Sequence, residues 1–410
     1  MKFHIITLGC KVNAYESNFI SESLVNNGFS FCNEIKDADI IIINTCSVTD
    51  TSDKKSLKVV KRCKRENENA LLIVIGCSSQ NDYKPYEKVG ANIILGTKHK
   101  SKVPELIEKY LKDRKNIIDI TTDRDTEYEQ MNINTFDHVR AYIKIEDGCN
   151  NFCSYCIIPY LRGSVRSKDY QSILNEANDL VNKGFKEIVL TGIDTASYSD
   201  SNKDFSDLIE DLSKIDNLER IRLSSVEITQ LNDKFLNVLK TNKKLCNHIH
   251  IPLQSGSDEI LKKMNRKYDT KYFEEKINTI RSIRPDISIT TDVIVGHNYE
   301  TDELFDKAYE FCKKIKFSKI HVFPYSKRSG TATSRMPMEV DEGVKKVRAR
   351  KLINLSEFLE KEYYDSFKGK EIDILIEKCE DGKSYGHTSN YLYVCLDETL
   401  EVGKIYKRIL

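Results

Sequence analysis

The chain has 410 residues, with 64 Lys and Arg against 63 Asp and Glu, so its net charge is only +1. That length predicts two or three domains, and the charge balance excludes a globally basic nucleic-acid binder. An N-terminus that reads as a strand and the lack of any 18-residue apolar run exclude a signal peptide and a membrane span, and predict a cytoplasmic protein. Twelve cysteines in such a chain point to metal or redox chemistry rather than disulfides. The basic runs at 61–65 and 345–351 read as solvated helix faces.

Residues 1–115 alternate strand and helix patterns. Strands are expected over 3–8, 39–44 and 71–75, and helices over 14–27, 50–66 and 101–112, with Gly28 as a helix stop. This predicts a small doubly wound α/β domain. Cys10, Cys46 and Cys77 each fall just past one of these strands. In open α/β sheets that rim binds ligands. A single cysteine there would read as a small buried hydrophobe, but three in the same topological slot point to one shared site. Cys32, Cys63, Cys246, Cys312, Cys379 and Cys395 have no such placement. Residues 116–137 are polar and read as a linker.

Residues 138–340 alternate again. Strands are expected over 140–146, 187–191, 220–225, 247–252, 287–295 and 318–323. Six βα units fit a partial (β/α)6 barrel, whose sites lie at the carboxyl ends of the strands. The first strand runs into Cys149-Asn-Asn-Phe-Cys153-Ser-Tyr-Cys156, a C-x3-C-x2-C spacing. Three thiolates this close can hold three corners of a [4Fe–4S] cubane, which ordinarily takes four cysteines. No fourth follows at short range, so one iron is left open, the mark of a catalytic centre. A structural zinc site is the competing reading, but it usually takes two C-x2-C pairs. At the later strand ends, Gly192 permits close backbone approach to a ligand. Asp194, Ser225 and Glu227 offer acceptors, Gln254 and Ser255 can orient a ligand, and Arg266 can meet a carboxylate or phosphate. His248 and His250 are expected to divide between the lumen and the helices, and neither is assigned a role.

The cysteine spacing, with Tyr155 as the aromatic residue before the third cysteine, resembles the radical S-adenosylmethionine (SAM) superfamily. In that family the open iron binds SAM and an electron cleaves it to a 5′-deoxyadenosyl radical. The segments around Cys10, Cys46 and Cys77, with 250–256, 261–268, 323–326 and 328–331, resemble the methylthiotransferases within it. That resemblance implies a second [4Fe–4S] cluster on Cys10, Cys46 and Cys77, which carries the sulfur to be inserted. One departure stands out. The family's Gly-Phe-Pro-Gly-Glu loop reads Gly296-His297-Asn298-Tyr299-Glu300 here.

Residues 341–368 read as a linking amphipathic helix. From 369 to 410 four or five short strands predict a small all-β barrel, which resembles the RNA-binding TRAM domain that ends methylthiotransferases. Tyr385, Tyr391 and Tyr393 could stack on bases or simply pack in the sheet. The segments 9–13 and 386–391 look most like the branch that modifies N6-threonylcarbamoyladenosine at position 37 of tRNA. The sister branches act on N6-isopentenyladenosine-37 or on a ribosomal protein. The resemblance implies the tRNA anticodon loop as partner, an electron donor such as flavodoxin or ferredoxin, a sulfur source, and no membrane. A non-catalytic iron–sulfur RNA-binding or sensor protein is the reading from another class. The strand-end motifs speak against it, because a pure binder needs no SAM site.

Overall fold

The strands Ile40–Thr45 and Leu71–Gly76 are buried along their whole length, as strands with helices on both faces must be. In the computed structural model, which describes all residues except 122, 124–126 and 137, they are the centre of a six-stranded parallel sheet. Its order is Ser30–Phe31, Lys2–Thr7, Ile40–Thr45, Leu71–Gly76, Ile93–Leu95 and Ile117–Asp119. Strand order therefore reverses between Lys2–Thr7 and Ile40–Thr45, and a doubly wound sheet binds ligands at such a switch point. Alternate residues serve opposite cores. Ile40, Ile42, Ile73 and Ile75 pack under Ile20, Leu24 and Ile107, whereas Ile41, Ile43, Leu72 and Val74 pack under Val60, Cys63 and Tyr86.

The strands Ser30–Phe31, Ile93–Leu95 and Ile117–Asp119 escaped the sequence reading because two or three residues cannot display a period. The last of them lies inside the 116–137 segment read as a linker. Later in that segment Met131, Ile133 and Phe136 are buried in the core of the next domain. Their isolated spacing among polar neighbours hides that role.

Arg140–Lys144, Glu187–Thr191 and Arg220–Leu223 pair in parallel, as do His248–His250, Ser288–Val295 and Lys319–Pro324. Bridges Ile221 to Leu245 and Ser225 to His250 join the two halves. The result is six parallel strands in chain order, each followed by a helix. Among the described residues the first and sixth strands do not pair, so the barrel is open on that side. The last helix, Glu342–Asp365, lies along the sixth strand, where Ser356 Oγ accepts the Ile320 N–H at 2.9 Å.

The C-terminal segment is a four-stranded antiparallel sheet, ordered Tyr393–Leu396, Lys383–Thr388, Glu371–Glu380 and Ile405–Ile409. It caps the amino-terminal end of the barrel strands. Arg220 and Arg222 donate to the carbonyls of Asp373, His387, Thr388 and Ser389. Arg140 pairs with Glu377 at 3.2 Å. Among the described residues no helix is long and apolar enough to cross a membrane.

Candidate cluster sites and the barrel-lumen cavity

The loop that carries Cys149, Cys153 and Cys156 is pinned by its main chain. The Cys149 N–H donates to Gly163 O at 3.1 Å, and the Cys156 N–H to Cys153 O at 3.0 Å. The Ser154 N–H reaches Met264 O at 3.0 Å, beyond the fourth strand, and Ser154 O accepts the Thr333 N–H at 2.8 Å from beyond the sixth. Three strand ends thus fix one loop.

Arg266 belongs to this site. Its side chain is buried and donates to Cys153 Sγ at 3.2 Å, to Glu227 at 2.5 Å and to Tyr268 Oη at 3.0 Å. Tyr155 lies beside Cys153 and Arg266, and burial raises its hydroxyl well above the usual range. Asp194 accepts from Asn151 at 3.1 Å, Ser197 at 2.8 Å and Gln230 at 3.0 Å, and Cys149 Sγ is 3.9 Å from it. At Gly192 a Cβ would lie 2.6 Å from Glu146 Oε2. That carboxylate accepts the N–H groups of Ile193 and Asp194 at 2.8 and 2.7 Å. The missing side chain therefore makes room for Glu146, which in turn sets the Asp194 loop. Gln254 contributes through its main chain. At φ +68° its N–H bonds Asp292 O at 2.8 Å and its carbonyl takes the Ile294 N–H at 2.9 Å. Ser225 is exposed on the cavity described below. Asn151, Gln230 and Glu146 were not singled out from sequence, because their roles depend on which strand ends become neighbours.

Cys10, Cys46 and Cys77 lie at the carboxyl rim of the N-terminal sheet, Cys10 and Cys46 on either side of the switch point. Gly9, at φ +105°, runs so close to Cys46 that a Cβ would sit 2.8 Å from Cys46 Cβ and 2.9 Å from its Sγ. Asn13 ties the rim together, donating to Leu8 O at 2.6 Å and Thr45 O at 3.0 Å. Cys77 packs against Ile157, the residue after Cys156, and Leu161, one turn further on. The two cysteine sets are therefore neighbours across the short helix Ile158–Arg162.

A buried ionic network seals this boundary. Glu16, wholly buried, meets Lys100 at 3.1 Å and Lys144 and Arg162 at 3.0 Å each. Lys144 and Arg162 also hold Asp147, at 2.6 and 3.1 Å. Arg162 adds bonds to Asn13 Oδ1 at 3.1 Å and Cys77 Sγ at 3.3 Å.

Do these thiols suit iron–sulfur clusters? Burial pushes Cys149 and Cys156 up to about 12 and Cys77 up to about 11, so ionising them needs a cation that takes the place of the proton. A guanidinium N–H already points at one sulfur in each set, Arg266 at Cys153 and Arg162 at Cys77. Such donors suit anionic cluster sulfur. Among the described residues no three His, Cys, Asp or Glu side chains converge on one point that could hold a single metal ion. Cubane ligands need no such point, because each cysteine serves a different iron. Both sets fit.

A cavity of ≈ 640 Å³ runs from Cys10, Gly192 and Ser225 down the barrel lumen to Tyr391 of the C-terminal sheet. Tyr391 stands at the floor end of this cavity. It stacks between His248 and His387 with centroids 4.8 and 4.6 Å away, and the Arg222 guanidinium lies 4.8 Å from its ring centre. His248 and His250 both line the cavity, and both reach Thr290 Oγ1, at 3.0 and 2.9 Å. The expected division between lumen and helices is wrong, since residues two apart in a strand share a face. Lys11 enters the same cavity. Burial, then Arg222 and Arg140, pull its ammonium down to about 8.

The departing loop keeps a tight turn. Gly296 and Tyr299 take φ of +75° and +69°, and Glu300 accepts the Gly296 N–H at 2.7 Å. Arg348 clamps Glu300 at 2.9 Å and Asp302 at 2.7 Å, so the 345–351 run is not purely a solvated face. Tyr299 occupies the left-handed position where the family's loop has glycine, and Lys263 lies 4.3 Å from its ring centre.

Residues 143–312 match the Radical SAM superfamily, and residues 2–96 match Uncharacterized protein family UPF0004. Over 99% of its length the chain is 40% identical to the threonylcarbamoyladenosine tRNA methylthiotransferase MtaB of Bacillus subtilis (strain 168), covering 92% of that protein. It is 36% identical to the protein of that name from Aquifex aeolicus (strain VF5), with 100% of both chains covered. It is also 36% identical to the tRNA-2-methylthio-N(6)-dimethylallyladenosine synthase of Clostridium novyi (strain NT), over 98% of this chain and 92% of that one. Among solved structures, the radical S-adenosylmethionine methyltransferase TsrM from Kitasatospora setae aligns with TM-score 0.59 at 13% identity. The alignment covers 78% of this chain and 72% of that one and shows a shared fold.

Proposed function

The chain belongs to the radical SAM methylthiotransferase family, and from that premise we propose that it converts N6-threonylcarbamoyladenosine at position 37 of tRNA to its 2-methylthio derivative. The net change replaces C2–H of the adenine by C2–S–CH3. When bound, a [4Fe–4S] cluster on Cys149, Cys153 and Cys156 supplies the open iron and the electron for SAM cleavage, and a second on Cys10, Cys46 and Cys77 supplies the sulfur. A second SAM gives the methyl group.

The chain's own residues do the positioning. Arg266 donates to Cys153 Sγ and holds Glu227 beside it. Asp194, fixed by Asn151, Ser197 and Gln230, presents a carboxylate for the SAM ammonium or ribose hydroxyls. Tyr155 lies beside Cys153 and Arg266, Gly192 and Ser225 line the cavity with Cys10, and Gln254 fixes the main chain against the fifth strand. The observation that carries this reading is the contact of Cys77 with Ile157 and Leu161. It supports the reading of a sulfur-delivering set beside a SAM-cleaving set, and Cys10, Gly192 and Ser225 line one cavity. The C-terminal sheet would hold the anticodon arm. In the cytoplasm, flavodoxin or ferredoxin would supply electrons, and a separate donor would restore sulfur.

The test is turnover by reconstituted protein with SAM, a reductant and anticodon stem–loops carrying either threonylcarbamoyladenosine or isopentenyladenosine. Mass spectrometry of the nucleosides should find the methylthio product from the first. Product from the isopentenyl stem–loop alone would move the chain to the sister branch. Absence of 5′-deoxyadenosine under all conditions would favour a non-catalytic iron–sulfur protein.

A further inference from the structure

We propose that the barrel lumen contains a carboxylate-binding subsite with Lys11 as its cation, and that this subsite takes the carboxylate of the substrate's threonylcarbamoyl group. The proposal rests on the substrate reading above. Lys11 is the first residue of the helix Lys11–Asn26, yet its side chain crosses the domain boundary into the lumen cavity. Its ammonium lies within electrostatic reach of Arg222, Arg140 and His248.

The arginines at the lumen floor are already paired. Arg220 and Arg222 share Glu187, and Arg140 has Glu377. Lys11 has no ion-pair or hydrogen-bond partner among the described residues. Four cations thus stand against two carboxylates there. Elsewhere on the wall Asp292 is 3.3 Å from His250, and Glu360 pairs with Lys319, so neither neutralises Lys11.

A second observation points the same way. His248, 6% exposed, and Ser224, 8% exposed, both line the cavity, and each leaves one polar atom, Nδ1 and Oγ, without a partner. Buried polar atoms are rarely left unsatisfied. An ammonium, a hydroxyl and an imidazole nitrogen around one space suit a carboxylate, which accepts through two oxygens. The RNA backbone is not the anion in question. Lys11 is half-buried on the wall of the lumen cavity, where the side chain of a nucleoside turned out of the anticodon loop fits better than the phosphate backbone. A neutral isopentenyl group there would leave the ammonium buried and unpaired, which is how a polar pocket rejects an apolar analogue.

The test compares two stem–loops that differ only in that charge, one with threonylcarbamoyladenosine and one with its methyl ester. Fluorescence anisotropy on the full-length protein should give a Kd lower by about 10- to 100-fold for the free carboxylate, the worth of one charge-assisted hydrogen bond. In Lys11→Gln the ratio should fall to near one, and Lys11→Arg should retain most of it. Equal affinities for acid and ester in the wild type would overturn the subsite without any variant. So would a Lys11→Gln protein that keeps the full ratio. If the wild type turns over only the isopentenyl stem–loop, the substrate reading fails and the subsite falls with it. If it turns over the threonylcarbamoyl stem–loop while Lys11→Gln keeps its ratio, only the subsite fails.

Discussion

Arg162 Nε donates to Cys77 Sγ at 3.3 Å across the boundary between the N-terminal domain and the barrel. The helix that ends in Arg162 begins just after Cys156, so one side chain links the two cysteine sets. Its remaining nitrogens bind Glu16 and Asn13 on one side of the boundary and Asp147 on the other. Replacing it with Met leaves two buried carboxylates short of a cation. Arg162→Met should therefore cost about 3–5 kcal/mol in urea unfolding, the usual penalty for breaking a buried pair from one side. Arg162→Lys should recover only part of this, because an ammonium cannot fork to all these partners. A loss below about 1 kcal/mol for the Met variant would show that the network does not hold the boundary.

His297 makes stability depend on pH. Its two ring nitrogens meet Asn298 O at 2.9 Å and Thr333 Oγ1 at 3.1 Å, and burial lowers it from 6.5 to about 4. A base depressed in the folded state is protonated first in the unfolded chain. Its contribution is therefore complete above pH ~6.5 and is lost as pH falls toward ~4. The loss across that window should be of order ~3 kcal/mol. His297→Gln should flatten this part of a stability–pH profile, and an unchanged slope would contradict the assignment.

The cysteine sets should separate chemically. Cys10→Ala, Cys46→Ala, Cys77→Ala keeps the three thiols of the barrel loop. It should still release 5′-deoxyadenosine from SAM but form no methylthio nucleoside. Its iron should fall from about eight to about four per chain. The converse triple variant at Cys149, Cys153 and Cys156 should retain about four irons and do neither reaction. Chromatography of both products from one incubation reads the outcome. Methylthiolated nucleoside from the first variant would remove sulfur delivery from the N-terminal set.

RNA affinity should depend on the tyrosine face of the C-terminal sheet, where Tyr393 is exposed at the edge of the lumen cavity. Tyr385 and Tyr393 stack there with centroids 6.2 Å apart, and Lys378 lies 4.7 Å from the Tyr385 ring centre. Tyr385→Ala and Tyr393→Ala should each weaken stem–loop binding by about 1–3 kcal/mol if a base stacks on the ring, measured at one fixed low salt concentration. Deleting 369–410 is a poorer test, because it would strip Arg220 and Arg222 of their carbonyl acceptors and open the lumen floor. Unchanged affinity in both point variants would place the RNA elsewhere.

Much of this protein was legible along the chain. The buried strands and their helices announce themselves by periodicity. The C-x3-C-x2-C loop is local chemistry, and Cys10, Cys46 and Cys77 share a slot that strand topology alone defines. What only the tertiary structure decided are relations between distant segments. Nothing near Arg162 in sequence says that it reaches Cys77, and nothing near Lys11 says that it enters the lumen of another domain. Tyr391, readable as an exposed base-stacking residue, is stacked between two histidines. The short edge strands and the buried Met131, Ile133 and Phe136 were hidden for the same reason. Periodicity reports which face of an element is apolar, but which faces meet is fixed by packing and by the pairing of buried charge, and those act between residues far apart in the chain.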